Sequence, residues 1–249
     1  MTANGLPRLA LLLTGFLRQV EATTEPLINH LAAHYNTDVF VATWDVADDA
    51  RTGPQQSMVN PSPVTTHDVV AMYGEMLGGC VVSSFELYGR TAPEIRARER
   101  PFDVLVINPR AKEHNTYWMN RLFAQWYVVR QGLHLIEEHE RVHHMEYDLI
   151  CRTRTDILLE APLPAWPQDR VLVSHALPGQ MPSDRGWIPD WFAIGPGTEM
   201  KKLGSLCFAI ESLYDRQNID TTNAENLLLH FAVQQDIPLA IQEVPIQRI

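Results

Sequence analysis

Residues 147–160 (YDLICRTRTDILLE) hold the side chains in this sequence best suited to chemistry. An apolar run is followed by Arg152, Arg154 and Asp156 at alternate positions. Side chains alternate across a strand with a period of two, so these three would share one face, whereas a helix would scatter them. Arginine offers a planar fork of donors to phosphate, and aspartate is an oxygen ligand for Mg²⁺ or Mn²⁺. The pattern therefore favours a phosphate ester with a divalent cation, with an interlocked structural salt bridge as the alternative.

The rest of the chain predicts the sheet that would position these residues. Apolar runs at 8–14 and 38–44 predict two strands, joined by a helix whose first turn contains Pro26. This β-α-β alternation indicates a parallel sheet with short crossovers. Further strands are predicted at 80–87, 103–107, 170–175, 190–194 and 238–244, and further helices near 67–77, 116–142, 198–214 and 222–234. We expect one α/β domain over residues 1–249, with a mostly parallel central sheet flanked by helices.

The composition limits the possible partners and location. A net charge of −10 argues against binding to duplex nucleic acid, which needs a basic face. Cys80, Cys151 and Cys207 are far apart and odd in number, which is typical of reduced thiols in a cytoplasmic protein. The apolar run 9–17 is too short to span a bilayer and no clear signal-peptide cleavage site follows it. We expect no transmembrane segment, while peripheral contact with the inner face of a membrane stays open.

A metalloprotease pattern occurs at His139-Glu140-Arg141-Val142-His143. Two histidines at i and i+4 on a helix can share a zinc ion, with the glutamate as general base. The pattern lies at the end of a predicted helix, and no Gly-x-x-His extension follows it. Solvated residues at a helix C-terminus, where a protonated histidine is favoured, are the alternative explanation.

Other candidate residues have weaker patterns. No P-loop and no GxGxxG is present, but Gly15 could let a nucleotide approach the backbone, with Arg18 near a phosphate; a plain strand-to-helix turn would explain the glycine equally. Asp190 lies beside aromatic residues, whose desolvating effect suits a general base; hydrogen bonds to nearby backbone N–H groups would explain it equally. His175 follows an apolar run and could contact a metal or phosphate, although a single histidine at a strand end is more often a polar residue with an ordinary hydrogen-bond partner. Glu225 completes a capping box, which already accounts for it.

Several segments taken together resemble a known family. Their order along the chain is LLLTGFLR, TDVFVATWD, NTYWMNRLFAQWYVV, EYDLICRTRTDILL, IPDWFAIG and AENLLLHF. This set is similar to small GT-A-type glycosyltransferases from bacterial polysaccharide gene clusters and some large DNA viruses, and the resemblance covers nearly the whole chain. It implies a single GT-A-like (Rossmann-like) domain.

The resemblance also implies an activity. A sugar would pass from a nucleotide-diphosphate donor to a hydroxyl of a glycan or lipid-linked acceptor, as in surface polysaccharide synthesis, and the expected type is an inverting hexosyltransferase. Arg152, Arg154, Gly15 and Arg18 would bind the donor, together with Trp44 or Asp45 at the end of the second strand.

The same resemblance assigns a divalent cation, Mn²⁺ or Mg²⁺, and a general base. The family's usual Asp-x-Asp is here Arg154-Thr155-Asp156, so only Asp156 remains as the implied metal ligand. Asp190 is the candidate base. A zinc metallopeptidase and a non-catalytic α/β binding protein stand as alternative functions.

Overall fold

A computed structural model describes residues 6–47, 62–88, 109–174, 188–214 and 224–249, and of residues 109–122, 211, 212, 214 and 224–226 it describes the backbone only. The strands are β1 (Arg8–Thr14), β2 (Asn36–Trp44), β3 (Val46–Ala47), β4 (Ser62–Pro63), β5 (Leu77–Ser83), β6 (Leu149–Arg154), β7 (Ile157–Leu159), β8 (Val171–Ser174), β9 (Phe192–Pro196), β10 (Leu239–Gln242) and β11 (Ile246–Arg248). The helices are α1 (Val20–His30), α2 (Thr66–Tyr73), α3 (Pro109–His143), α4 (Gly197–Gly204), α5 (Leu206–Tyr214) and α6 (Ala224–Gln234), with short 3₁₀ turns at Ala32–His34 and Gly74–Met76.

The central sheet of the described residues has seven strands in the order β10-β8-β9-β6-β1-β2-β5. All its neighbouring pairs are parallel except the two that involve β9. The expected α/β architecture with a mostly parallel sheet flanked by helices is therefore confirmed. Two short antiparallel pairs, β3 with β4 and β7 with β11, lie outside this sheet.

The strand order places a topological switch point between β1 and β6. From β1 the chain moves outward through β2 to β5, and it later returns as β6 on the other side of β1. In open α/β sheets, ligands bind outside the carboxyl ends of the strands at such a point. A ligand site is therefore expected among the residues that follow β1 and β6.

Helices cover both faces of the sheet with apolar side chains. One face packs against α3, α4, α5 and α6 through residues such as Trp126, Leu133 and Phe231. The other face packs against α1, α2 and the β7–β11 pair. Gly132 allows α3 to lie close to β1, because a Cβ at this position would overlap the Leu12 side chain.

Several sequence expectations need correction. The strand predicted over 147–160 is interrupted by a turn at Thr155 and Asp156, so strand alternation no longer sets the direction of Asp156. Pro26 lies inside α1 and not in its first turn. The glycines at 78 and 79, expected to stop a helix, belong to β5, which ends at Ser83 and is followed by helical residues 85–88. The strand predicted at 103–107 lies outside the described residues.

No helix among the described residues is long and apolar enough to cross a membrane. All three cysteines are free thiols.

Candidate functional site

The loop after β1 is tied to the turn after β6 by one hydroxyl. Thr155 Oγ1 donates to the Phe16 carbonyl at 2.5 Å and accepts from the Arg18 backbone N–H at 3.1 Å. The Thr23 hydroxyl of α1 in turn donates to the Thr155 carbonyl at 2.8 Å. These bonds fix the two segments that meet at the switch point, and they bring Arg18 to the end of β6.

Three arginines converge on Asp156, and we call Arg18, Arg154 and Arg248 the arginine cluster. Arg154 donates from Nε to Asp156 Oδ1 at 2.8 Å and from Nη2 to Oδ2 at 2.6 Å, a bidentate pair. Arg248 Nε lies 3.5 Å and Arg18 Nη1 3.9 Å from Oδ2. Asp156 is 2% exposed, so its carboxylate depends on these guanidiniums for its partners.

The arginines also set the ionisation of Asp156. Burial alone would raise the pKa of this carboxyl, but Arg154, with Arg248 and Arg18, lowers the pKa below its ordinary value overall. The group is therefore a carboxylate over the whole neutral range.

This donor set does not fit the divalent cation that the resemblance implies. Both oxygens of Asp156 already accept hydrogen bonds from Arg154, and the guanidiniums of Arg248 and Arg18 lie 3.5 Å and 3.9 Å from Oδ2. Mg²⁺ needs several oxygen ligands at about 2.1 Å, and a positively charged surrounding disfavours it. Within the described ranges, no group of three His, Cys, Asp or Glu side chains could hold a metal ion. The cluster has instead the chemistry of an anion site.

Arg152 lies beneath this cluster, on the α3 face of the sheet. It is 5% exposed, donates from Nε to Thr14 Oγ1 at 3.1 Å and from Nη1 to the Asp190 carbonyl, and lies over the Trp126 ring. Its Nη2 has no hydrogen-bond partner among the described residues. Burial lowers the pKa of this guanidinium to about 10, against the opposing effect of Asp190. Arg152 thus holds β1, β6 and the segment before β9 together, and its predicted role in donor binding stays a prediction.

Asp190 precedes β9 at the same edge of the sheet, since β9 runs antiparallel and starts where β6 ends. It is 4% exposed, and its Oδ2 accepts a hydrogen bond from the Gln125 amide of α3. The cavity beside it has a volume of about 20 Å³ and mostly apolar walls, which leaves space for roughly one water molecule. These contacts give Asp190 a structural explanation as an anchor, and its role as general base stays a prediction.

Trp44 and Asp45, at the end of β2, are engaged by the residues around them. Trp44 is 2% exposed and belongs to what we call the aromatic cluster, which also contains Phe16, Phe85, Tyr88 and Tyr127. Asp45 Oδ1 accepts the Phe85 backbone N–H at 2.9 Å. Trp44 therefore supports the cluster from within, while Tyr127 is 38% exposed and presents its ring at the surface.

The aromatic cluster and the arginine cluster adjoin each other. The Arg18 guanidinium lies 5.2 Å from the centroid of the Phe16 ring, and Phe16 packs edge-on against Phe85 at 5.2 Å. The same edge of the sheet thus carries aromatic rings at the ends of β1, β2 and β5, and guanidiniums at the ends of β1 and β6.

Gly15 has φ +104° directly after β1, and its N–H donates to the Ala42 carbonyl at 3.2 Å. Residues with a side chain rarely adopt this φ, although an added Cβ would have no heavy atom within 4 Å. The glycine is needed for the turn that carries Phe16 and Arg18, and its open surroundings are compatible with the predicted approach of a ligand.

Two predicted residues are not placed in the site. His175 lies outside the described residues. Glu225 lies in the first turn of α6, where only the backbone is described, so its predicted role is not tested.

The metalloprotease pattern lies at the other edge of the sheet, near the amino ends of β1, β2 and β6. Glu140 is 8% exposed; it accepts the Tyr147 backbone N–H at 3.1 Å and pairs with Lys201 Nζ at 2.5 Å. His139 Nδ1 is 3.0 Å from the Tyr147 hydroxyl, which donates to Asp38 at 2.6 Å. These contacts give Glu140 a structural role between the Tyr147 backbone and Lys201, and the zinc-peptidase alternative stays a prediction.

Sequence reasoning missed Arg248 and Gln125. Arg248 reaches the site because β11 pairs antiparallel with β7, which sets Arg248 opposite Ile157, beside Asp156. Three residues in a short strand carry no periodic signal, so only the tertiary pairing shows this contact. Gln125 lies on the predicted long helix, but nothing in its neighbours indicates that it faces Asp190.

Comparison with known proteins adds no family assignment. No protein-family model matches the sequence. No curated protein matches it either.

Proposed function

We propose that this protein is a glycosyltransferase of GT-A type that uses a nucleotide-diphosphate sugar. The observation that carries the proposal is the arginine cluster at the carboxyl ends of β1 and β6, at the topological switch point of the sheet. The resemblance of the sequence to such enzymes, and the mostly parallel sheet with helices on both faces, support the proposal.

The arginine cluster suits the charge that develops in glycosyl transfer. When the bond between the sugar and the diphosphate breaks, negative charge accumulates on the leaving phosphate oxygens. Arg248, for example, is held between Asp156 and the Trp191 ring, which lies 5.6 Å from its guanidinium. A guanidinium that is already fixed in position stabilises the developing charge without first having to reorganise. This stabilisation is larger in the transition state than in the ground state, as catalysis requires.

The aromatic cluster suits the other end of the donor. Tyr127 and Tyr88 have ring centroids 5.1 Å apart, and both contact Trp44. An aromatic ring that reaches the surface, as Tyr127 does, can stack on the flat face of a base or the apolar face of a sugar. A donor placed with its phosphates on the arginines would have its base or its sugar near these rings.

Acceptor activation rests on Asp190 in this proposal. Its carboxylate would remove the proton of the acceptor hydroxyl as that oxygen attacks the anomeric carbon. Asp190→Asn keeps the shape of the side chain and an oxygen that can accept the Gln125 hydrogen bond, so it separates a catalytic role from an anchoring role. Loss of sugar transfer, with unchanged donor binding and an unchanged melting temperature, would identify Asp190 as the base. Full activity in Asp190→Asn would remove this residue from the chemistry and leave it as an anchor.

The burial of Asp190 favours one second candidate, a non-catalytic protein that binds phosphorylated ligands. A carboxylate that is 4% exposed and bonded to Gln125 is poorly placed to meet an acceptor. This candidate predicts donor binding with neither sugar transfer nor release of the nucleoside diphosphate.

The experiment that tests the proposal is a panel of UDP-, GDP-, TDP- and CMP-sugars at millimolar concentration, with melting temperature and nucleotide release as readouts. We expect one diphosphate donor to raise the melting temperature and to be turned over when an acceptor is supplied. CMP-sugars, which have a single phosphate, serve as the matched control. No shift and no release with any donor would refute the proposal.

A further inference from the structure

We propose that the cavity beside Asp190 binds one ordered water molecule, which accepts hydrogen bonds from Arg152 Nη2 and Trp126 Nε1 and donates one to the Asp190 carboxylate. The cavity lies on the α3 face of the sheet. The inference is independent of the proposed function, because it rests on two buried donors and on the cavity that their residues line.

Two buried donors beside this cavity have no hydrogen-bond partner in the part of the chain that the structure describes. They are Arg152 Nη2 and Trp126 Nε1. Arg152 is 5% exposed and Trp126 is 2% exposed, so bulk solvent does not satisfy either group. Burying a donor without a hydrogen bond is unfavourable, and it is more so for a charged donor than for a neutral one. Both donors therefore need an acceptor, and both residues line the same cavity.

The other contacts of Arg152 fix the position of its free nitrogen. Nε donates to Thr14 Oγ1 at 3.1 Å, and Nη1 donates to the Asp190 carbonyl. The guanidinium carbon lies 5.8 Å from the centroid of the Trp126 ring. A water molecule with hydrogen bonds of about 2.9 Å on each side spans two nitrogen atoms up to about 6 Å apart. One shared acceptor can therefore bridge a separation of this size.

The size and the charges of the cavity favour water over an ion. Its volume is about 20 Å³, and one water needs roughly 10–15 Å³. The guanidinium of Arg152 and the carboxylate of Asp190 line it with opposite charges, so there is no net charge for an anion or a cation to balance. A water molecule can accept from both N–H groups and donate to the carboxylate. Asp190 Oδ2 already accepts from Gln125, and a carboxylate has room for several such bonds.

The polar groups are what distinguish this cavity from a dry one. Its other walls are mostly apolar, with Leu12, Val129 and Phe192 among them. A cavity with only apolar walls stays dry, whereas a buried water typically makes about three hydrogen bonds to the protein. Arg152, Trp126 and Asp190 supply these three. The water thus links α3, which carries Trp126, to Arg152 of β6 and to the segment that precedes β9.

The test is a crystal structure of the intact wild-type protein, refined at a resolution that shows other buried waters. We expect a density peak for one water within about 3.2 Å of both Arg152 Nη2 and Trp126 Nε1. In solution, the Trp126 indole proton should show an NMR cross-peak to a long-lived water. A map that shows other buried waters but none in this cavity would overturn the inference.

Two variants test the assigned hydrogen bonds. Trp126→Phe keeps an aromatic ring and removes the N–H donor, so the peak should lose at least about half its occupancy, since one of about three partners is gone. Trp166→Phe is the matched control: Trp166 Nε1 also has no partner among the described residues, but this side chain packs on the other face of the sheet. The control should leave the peak unchanged. An unchanged peak in Trp126→Phe would overturn the assigned ligands.

A bromide soak of wild-type crystals separates water from a monovalent anion. We expect no anomalous signal in the cavity, because the opposite charges of Arg152 and Asp190 already balance. A bromide peak bonded to Arg152 would identify an anion site and overturn the inference. If Trp126→Phe does not fold, the wild-type density and this soak still decide the question.

Discussion

The stability of the Asp156→Asn variant tests the account of the arginine cluster. The substitution is nearly isosteric and removes the charge that three guanidiniums share. Asp156 is 2% exposed and Arg154 is 19% exposed, so their bidentate pair contributes most of the stabilisation. Arg248, which is 34% exposed, and Arg18, whose Nη1 lies 3.9 Å from Oδ2, add less than about 1 kcal/mol each. Breaking a buried pair from one side costs about 3–5 kcal/mol, because the other charge is left without its partner.

This loss is large enough to measure by thermal and chemical denaturation. At about 2–4 °C per kcal/mol for a chain of this size, the melting temperature should fall by roughly 6–20 °C. Glu138→Gln is the control, since it removes an exposed ion pair and should change the melting temperature little. If Asp156→Asn is within about 1 kcal/mol of wild type, the carboxylate does not hold the cluster.

The pH dependence of this difference follows from the lowered pKa of Asp156. A carboxyl whose pKa is lower in the folded than in the unfolded protein stabilises fully above its unfolded pKa of about 3.9. That stabilisation is lost as the pH falls through the lowered folded pKa. The gap between wild type and Asp156→Asn should therefore be constant near neutral pH and narrow below about pH 4. If the stability difference between wild type and Asp156→Asn instead widened as the pH fell, the pKa of Asp156 would not be lowered in the folded protein.

Three further predictions concern the surroundings of the site. Arg152→Lys should cost about 2–4 kcal/mol of unfolding free energy in chemical denaturation, because one ammonium cannot reach Thr14 and the Asp190 carbonyl together; a neutral result would deny that bridging role. Gly15→Ala should cost about 1–2 kcal/mol from backbone strain alone, measured in the same way, and stability equal to wild type would show that the turn does not need glycine. Glu140→Gln should lower the free energy of unfolding by about 1–3 kcal/mol, because it loses the ion pair with Lys201. Elemental analysis should find no stoichiometric zinc in the wild type or in this variant, and bound zinc would favour the peptidase hypothesis.

The regular elements could be predicted from the sequence because their patterns are local. Residues 8–14 form β1 as predicted, and the long apolar stripe after residue 116 belongs to α3. The parallel sheet followed from the β-α-β alternation. The turn at Thr155 and Asp156 was not predictable in this way. The residues on both sides are apolar or alternate as they would in a strand, so the sequence gives no local sign that β6 ends there.

The candidate site could be predicted only in part, because its composition depends on distant pairings. Arg154 and Asp156 were expected either to act together on a ligand or to form a structural salt bridge, and the structure pairs them with each other, as the second explanation requires. Arg248 lies 92 residues after Asp156 in the sequence and contacts it because β11 pairs with β7. Gln125, the hydrogen-bond partner of Asp190, belongs to α3. Neither contact follows from spacing along the chain, since both depend on how the layers pack.

Donor binding to Arg154→Met is the most direct measurement of the central claim that this arginine cluster holds a nucleotide-diphosphate sugar. Calorimetric titration should compare wild type, Arg154→Met and Arg141→Met, and the melting temperature of each should confirm that it is folded. Arg141→Met is the control, since Arg141 is 71% exposed and pairs with Glu138 at the other edge of the sheet. We expect the donor to bind wild type and Arg141→Met equally and Arg154→Met at least about tenfold more weakly. Equal affinity for all three proteins, or binding to none, would contradict the account.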